Sequence, residues 1–103
     1  PDGYAHNLTD GIIRARYRNG DTPELLKPDQ VYEFTIDLWS TANVFKVGHS
    51  IRIHIASASF PRWDRNPNTG AAFGVDDVLR PARQTILHDS AHPSHVILPI
   101  IPR

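Results

Sequence analysis

The sequence lacks cysteine, and it lacks any long apolar run. Without thiols, the 103 residues can form neither a disulfide framework nor a thiolate metal site. This favours a reducing, cytoplasmic compartment but does not exclude secretion. The apolar runs are only a few residues long, whereas a membrane-spanning helix needs about 20, so we expect no membrane partner.

An excess of charge of either sign is also missing. Eleven Lys and Arg residues balance eleven Asp and Glu residues, which gives a formal net charge of zero. A chain without a basic excess offers no polyanion-binding surface, and we expect no nucleic-acid partner. Hydrophobic residues make up 40% of the chain, enough for one domain with a folded core.

The visible periodicity is that of β-strands. Apolar and polar residues alternate over residues 31–38 and 50–58, and more weakly over 11–18, 84–88 and 94–101. In the second of these, Ile51, Ile53 and Ile55 are predicted to face inward. No stretch of ten residues has helical spacing. Nine prolines and six glycines lie mostly between the strands, with turns predicted at 22–23, 27–29, 47–48 and 66–70. The pattern predicts an all-β sandwich with Greek-key or jelly-roll wiring.

The usual catalytic constellations are incomplete. The segment 48–52 places Arg52 where a nucleophile elbow needs its second glycine, and Ser50 begins a strand instead of ending one. Asp76 and Asp77 are adjacent, so in extended chain they point to opposite faces, which is poor geometry for an acid/base pair. We therefore expect a solvated loop there and no catalytic residue in this chain.

Histidines cluster near the end of the chain. The cluster consists of His88, Asp89, His92 and His95. On a helix this spacing would suit zinc, but Pro93 and the strand pattern after it argue against a helix. We interpret the segment as a polar turn in which Asp89 and Ser90 bond the local backbone, with metal binding as the less favoured alternative.

Residues 59–70, which we call the aromatic loop, form the sharpest local feature. They combine two aromatic rings, two guanidinium groups and two asparagines. Aromatic and arginine side chains concentrate where surfaces are buried against partners, and Asp64 could pair with Arg62 or Arg65. The alternative is that the loop covers an open end of its own sandwich. The candidate interface residues are Trp39, His54, Phe60, Arg62, Trp63, Asp64, Arg65 and Asn66.

Six segments together resemble the C-terminal domain of the X-Pro dipeptidyl-peptidase and cocaine-esterase-like serine hydrolases. They are 5–18 (AHNLTDGIIRARYR), 31–39 (VYEFTIDLW), 43–49 (NVFKVGH), 60–70 (FPRWDRNPNTG), 82–89 (ARQTILHD) and 92–99 (HPSHVILP). The resemblance implies a jelly roll similar to galactose-binding domains. It also implies a preceding α/β-hydrolase domain with a Ser-Asp-His triad, and a helical cap. Such enzymes cleave esters or amides, including X-Pro dipeptides. None of the family's triad residues maps onto this chain, and no cofactor is implied.

The resemblance therefore implies an accessory role. We expect residues 1–103 to be a partial C-terminal jelly roll of a larger serine hydrolase, packing on the catalytic and cap domains and helping to shape the substrate cleft. Those domains would belong to the same polypeptide or to a cleaved partner chain. The turn Pro1-Asp2-Gly3 normally follows a strand, so we expect the first strands to be lacking in this chain. The alternative is a carbohydrate-binding module that stacks sugars on Trp39, Trp63, Tyr4 and Tyr17.

Overall fold

The computed structural model describes residues 3–102. These residues fall into two units, Pro1–Ser57 and Ala58–Arg103, which we treat separately. Within residues 3–102 one helix is defined, a 3-10 helix over Ala15–Tyr17. In residues 3–102 no strand is defined, so the all-β jelly-roll sandwich stays a prediction. Nor does any helix in these residues have the length and apolarity needed to span a membrane.

The 3-10 helix corrects one sequence prediction. The Tyr17 N–H donates to the Arg14 carbonyl at 2.8 Å, and the Arg18 N–H donates to the Ala15 carbonyl at 3.4 Å. Two successive bonds of the i to i+3 type curl the chain and are incompatible with an extended strand. The strand predicted over 11–18 is therefore wrong for its second half.

Two distant segments of the first unit run side by side. The Thr9 hydroxyl donates to the Leu38 carbonyl, and the Thr41 hydroxyl donates to the Leu8 carbonyl at 3.5 Å. Gly11 lies against Asp37. As the first segment advances along the chain the second retreats, which is the antiparallel order that a sandwich or jelly roll uses.

Gly11 is required by this close approach. A Cβ atom at this position would overlap the Asp37 carbonyl oxygen and would lie 2.9 Å from Cγ2 of Ile36. The φ of Gly11 lies outside the left-handed region, so its backbone conformation is open to any residue. Glycine is needed here for space and not for conformational freedom.

Two predicted turns of the first unit are confirmed. The Gln30 N–H donates to the Lys27 carbonyl at 3.4 Å, and the His49 N–H donates to the Lys46 carbonyl at 3.1 Å. In each turn the third residue has a positive φ, 59° at Asp29 and 83° at Gly48. This is the type II geometry, which accepts glycine and, less readily, Asn or Asp at that position.

The apolar side chains of the described residues do not form a buried core. Ile51, Ile53 and Ile55, predicted to face inward, are each more than half exposed. Alternation persists in part over 31–38, where Tyr32 is half-buried and its neighbour Val31 is exposed. A half-buried strand is stabilised mainly by burial of its apolar face. The exposed isoleucines therefore leave apolar surface that is not covered within the described residues.

Candidate interface site

The predicted interface residues fall in both units. Trp39 and His54 belong to the first unit, and both are exposed. The other six belong to the aromatic loop of the second unit: Phe60, Arg62, Trp63, Asp64, Arg65 and Asn66. Each group is described within its own unit.

A backbone hydrogen bond shapes the first half of the aromatic loop. The Trp63 N–H donates to the Ser59 carbonyl at 3.0 Å and closes a five-residue turn. Phe60 lies inside this turn and is 62% exposed, while Trp63 at its end is 39% exposed. The second unit thus leaves Phe60 more exposed than Trp63. Whether the aromatic loop meets a partner or covers its own sandwich stays a prediction.

Each aromatic ring of the loop carries a guanidinium group. Cζ of Arg65 lies 4.8 Å from the centroid of the Phe60 ring, and Cζ of Arg62 lies 5.9 Å from that of Trp63. Cation–π contacts of this kind contribute about 0.5–1 kcal/mol at exposed sites. They also restrict four long side chains, which lowers the entropy lost when a partner surface packs on them. The pairing of Asp64 with an arginine stays a prediction.

The end of the aromatic loop is tied to residue 80. The Asn68 N–H donates to Oδ1 of Asn66 at 3.0 Å, and Asn68 itself has a φ of 58°. Nδ2 of Asn68 donates to the Arg80 carbonyl, and the Arg80 N–H donates to the Pro67 carbonyl, both at 2.9 Å. The turn predicted at 66–70 is confirmed. The closure at residue 80 was not predicted, because the sequence does not indicate which distant carbonyl an asparagine will bond.

Asp76 belongs to this closed segment. A hydrogen bond from the Thr69 hydroxyl, the Val78 N–H and the positive charge of Arg80 together lower the pKa of Asp76 below its usual 3.8. The Val78 N–H lies 2.9 Å from Oδ1 of Asp76. This carboxylate therefore serves to hold its loop, and no acid/base pair with Asp77 is needed to explain it.

Trp39 has a backbone conformation that is rare for a bulky residue. Its φ is 62°, and its N–H donates to Oδ1 of Asp37 at 2.7 Å. The side chain is 83% exposed. A left-handed backbone conformation costs a non-glycine residue about 1–2 kcal/mol. The backbone of Trp39 is therefore strained, and the indole ring at this position is exposed.

The histidine-rich segment forms a turn around Asp89. Oδ1 of Asp89 accepts the N–H groups of Ala91 at 2.8 Å and His92 at 2.9 Å, and it lies 3.1 Å from Nδ1 of His92. These contacts, the His92 N–H foremost, lower the pKa of Asp89 below its usual 3.8. The predicted bonding of Asp89 to the local backbone is confirmed. In residues 3–102 no three His, Cys, Asp or Glu side chains are grouped to hold a metal ion.

A cluster around Arg18 was missed by sequence reasoning. Nη2 of Arg18 lies 2.8 Å from Oε2 of Glu24, and its Cζ lies 4.6 Å from the centroid of the Tyr32 ring. Nη1 donates to the carbonyls of Ala15 at 3.0 Å and Glu24 at 2.7 Å. The Arg18 side chain is only 6% exposed. We call Arg18, Glu24 and Tyr32 the Arg18 clasp.

Comparison with known proteins places the chain in a family. Residues 1–97 match the family described as the X-Pro dipeptidyl-peptidase C-terminal non-catalytic domain. Over 106 aligned positions the chain is 42% identical to cocaine esterase from Rhodococcus sp. (strain MB1 Bresler), and the match covers all of this chain and 18% of that protein. The chain thus spans less than a fifth of this curated relative. No solved structure matches the chain. The chain belongs to the family of X-Pro dipeptidyl-peptidase C-terminal non-catalytic domains.

Proposed function

We propose that the chain is the accessory domain of a serine hydrolase of the α/β-hydrolase type, which cleaves esters or amides. The domain packs on the catalytic and cap domains and helps to shape the substrate cleft. Its family is non-catalytic, and the similar curated protein is named an esterase. The observation that carries the proposal is the exposed aromatic loop, in which Phe60 remains 62% exposed under its guanidinium group.

A domain that touches no reacting atom can still influence the reaction rate. Catalytic groups must be placed to within a fraction of an ångström, and a displacement of about 1 Å can cost a hundredfold in rate. The aromatic loop suits this supporting role because its ends are fixed by hydrogen bonds, at Ser59 and at Asn66 to Asn68. A surface that is already ordered positions its partner at lower entropic cost.

The fold that we propose is the jelly-roll sandwich expected from the sequence. Two observations support it. The segments around Gly11 and Asp37 lie in antiparallel order, and the isoleucines at 51, 53 and 55 form an exposed apolar row that a further strand or sheet would cover.

The test uses the parent polypeptide, meaning the hydrolase that contains this chain. Phe60→Ala and Trp63→Ala are expected to lower kcat/KM for an ester or amide substrate about tenfold, or to lower the melting temperature, because truncating a central interface aromatic costs more than 1 kcal/mol. Phe73→Ala is the matched control, since Phe73 is an aromatic of the second unit with a similar exposure of 64%. Unchanged activity and melting temperature in both loop variants would contradict the proposal.

The carbohydrate-binding alternative rests on Trp39. An indole ring that is 83% exposed could stack on a pyranose ring. Calorimetric titration of the chain with simple glycans separates the two functions. Saturable heat that Trp39→Ala abolishes would favour sugar binding, whereas a flat titration leaves the accessory role as the better explanation.

A further inference from the structure

One dipeptide of the chain is chemically reactive. Asn19 precedes Gly20, and it is the only asparagine of the sequence that a glycine follows. An asparagine side chain is attacked by the backbone nitrogen of the next residue, and a bulky side chain on that residue hinders the approach, whereas glycine has none. Proline has no N–H to lose and so does not react. The other asparagines of the sequence precede Leu8, Val44, Pro67 and Thr69. Asn19 is therefore the asparagine at which this attack is least hindered.

The surroundings of this dipeptide are open. Asn19 and Gly20 are both exposed, and a Cβ atom added to Gly20 would meet no atom within 4 Å apart from its neighbours in the chain. Water and hydroxide can therefore reach the Gly20 nitrogen. Its N–H donates to the Tyr17 carbonyl at 3.2 Å, the long end of the usual range, so a weak bond has to open before the nitrogen reacts. Gly20 has a φ of 125°, which other residues rarely adopt, so the conformation of the loop favours glycine beside Asn19.

The side-chain amide of Asn19 also takes part in a structural contact. Nδ2 of Asn19 donates to Oε2 of Glu24 at 2.8 Å, and the same oxygen lies 2.8 Å from Nη2 of Arg18. An amide nitrogen suits this place because it brings N–H donors and no charge, whereas an ionised carboxylate has only acceptors. The contact therefore depends on residue 19 remaining an amide.

We propose that Asn19 is a site of spontaneous deamidation, and that conversion of its amide to a carboxylate opens the Arg18 clasp. The Gly20 nitrogen gives its proton to hydroxide and forms a bond to Cγ of Asn19. The bond between Cγ and Nδ2 breaks, and ammonia leaves with a proton from water. The succinimide ring that results adds water, which breaks the bond from the Gly20 nitrogen either to Cγ, giving aspartate, or to the main-chain carbonyl carbon of residue 19, giving isoaspartate. One water thus replaces one ammonia, and nothing is oxidised or reduced.

Both products lose the contact with Glu24. In aspartate, an oxygen takes the place of Nδ2, and two carboxylate oxygens with no proton between them repel each other. In isoaspartate, the main chain runs through Cγ and gains one methylene, and the carboxylate is attached to Cα, so it no longer reaches the same place. Since the carboxylate and the carbonyl of Glu24 both bond Arg18, displacement of Glu24 opens the Arg18 clasp. Conversely, the Glu24 bond holds the Asn19 amide in place and slows its reaction.

The first measurement locates the reaction. The parent polypeptide is incubated in water enriched in oxygen-18 and is then mapped by peptide mass spectrometry. We expect position 19 to convert to aspartate and isoaspartate, each with one heavy oxygen, several-fold faster than Asn7 converts. Asn7 is the matched control, because it is also exposed but is followed by Leu8. Glu24→Ala should speed the conversion at position 19 several-fold and leave that of Asn7 unchanged. Conversion at position 19 no faster than at Asn7, or a rate there that Glu24→Ala does not change, would overturn the proposal.

The second measurement follows the Arg18 clasp. The Glu24 N–H donates to the Arg16 carbonyl at 2.7 Å, so its hydrogen exchange reports whether this part of the loop opens. Asn19→Asp reproduces one of the two products and should speed this exchange several-fold. Asn7→Asp adds the same charge at an exposed asparagine outside the clasp and should leave the exchange unchanged. Unchanged exchange in Asn19→Asp, or an equal rise in Asn7→Asp, would overturn the opening of the clasp. Neither measurement depends on hydrolase activity, so a negative result would leave the accessory role untouched.

Discussion

Substitution of Gly11 by alanine tests the antiparallel order of the first unit. The new Cβ would overlap the Asp37 carbonyl oxygen, a backbone atom that cannot rotate away, and would lie 2.9 Å from Cγ2 of Ile36 and 3.1 Å from the Asp37 carbonyl carbon. Comfortable carbon contacts need about 3.5–4.0 Å, so the two segments must separate by roughly half an ångström or more. Overpacking of this kind costs about 1–3 kcal/mol.

A smaller effect opposes this cost. Alanine reduces the freedom of the unfolded chain and so stabilises a protein by about 0.4–1 kcal/mol. The net loss in free energy of unfolding is then about 1.5 kcal/mol. With a urea m-value of about 2 kcal/mol/M, the midpoint of local unfolding should fall by about 0.7 M.

Trp39 provides the assay, because it follows directly on the affected segment. In the parent polypeptide labelled with 5-fluorotryptophan, the fluorine resonance of residue 39 is followed through a urea titration and is assigned by its loss in Trp39→Phe. Asn7→Ala is the control, since Asn7 is exposed and lies just before the paired segment, and its effect should stay within about 0.5 kcal/mol. A Gly11→Ala midpoint equal to that of Asn7→Ala, or higher, would refute the side-by-side placement of the two segments.

Two further predictions concern the backbone at Trp39 and the carboxylate of Asp89. Trp39→Gly should be more stable to urea than Trp39→Ala by about 1 kcal/mol, since both remove the indole but only glycine accepts a φ of 62° without strain; equal stabilities would contradict the left-handed conformation. The His92 N–H lowers the pKa of Asp89 below 3.8. The ionised carboxylate therefore stabilises its turn fully at neutral pH, and this stabilisation is lost as the pH falls through the lowered pKa. Carboxyl-carbon NMR should find Asp89 titrating below an ordinary Asp, and Asp89→Asn should abolish the acid-dependent loosening of the turn; titration at or above 3.8 would contradict the bonding.

The turns could be predicted from the sequence because their chemistry is local. Pro28 with Asp29, Gly48, and Asn66 with Asn68 each act within four residues, and the structure bends the chain at all of these positions. The carboxylate of Asp89 likewise bonds N–H groups only two and three residues away. Interactions between residues so close in the chain depend on local residue types, which can be recognised in the sequence.

The remaining features depend on distant partners, which a single sequence does not reveal. The approach of Gly11 to Asp37 spans 26 positions, and the Arg18 clasp gathers residues across 14. The apolar alternation over residues 11–18 was weak, and the i to i+3 bonds of Tyr17 and Arg18 override its second half. Tertiary contacts of this kind decide local structure wherever the periodic signal is short.

The long connections of this chain share one construction, and it favours a positional role for the domain. In residues 19–30 the side chain of Arg18 binds the loop, and in residues 66–80 the side chain of Asn68 joins the two ends. Beside this fixed backbone the first loop leaves Leu25 exposed, and the aromatic loop, which shares residues 66–70 with the second, leaves Phe60 exposed. Internal hydrogen bonds stabilise any connecting loop, by about 0.5–1.5 kcal/mol each. A loop that must meet another surface at a fixed place gains from them a second time, since any residual freedom would be lost on contact.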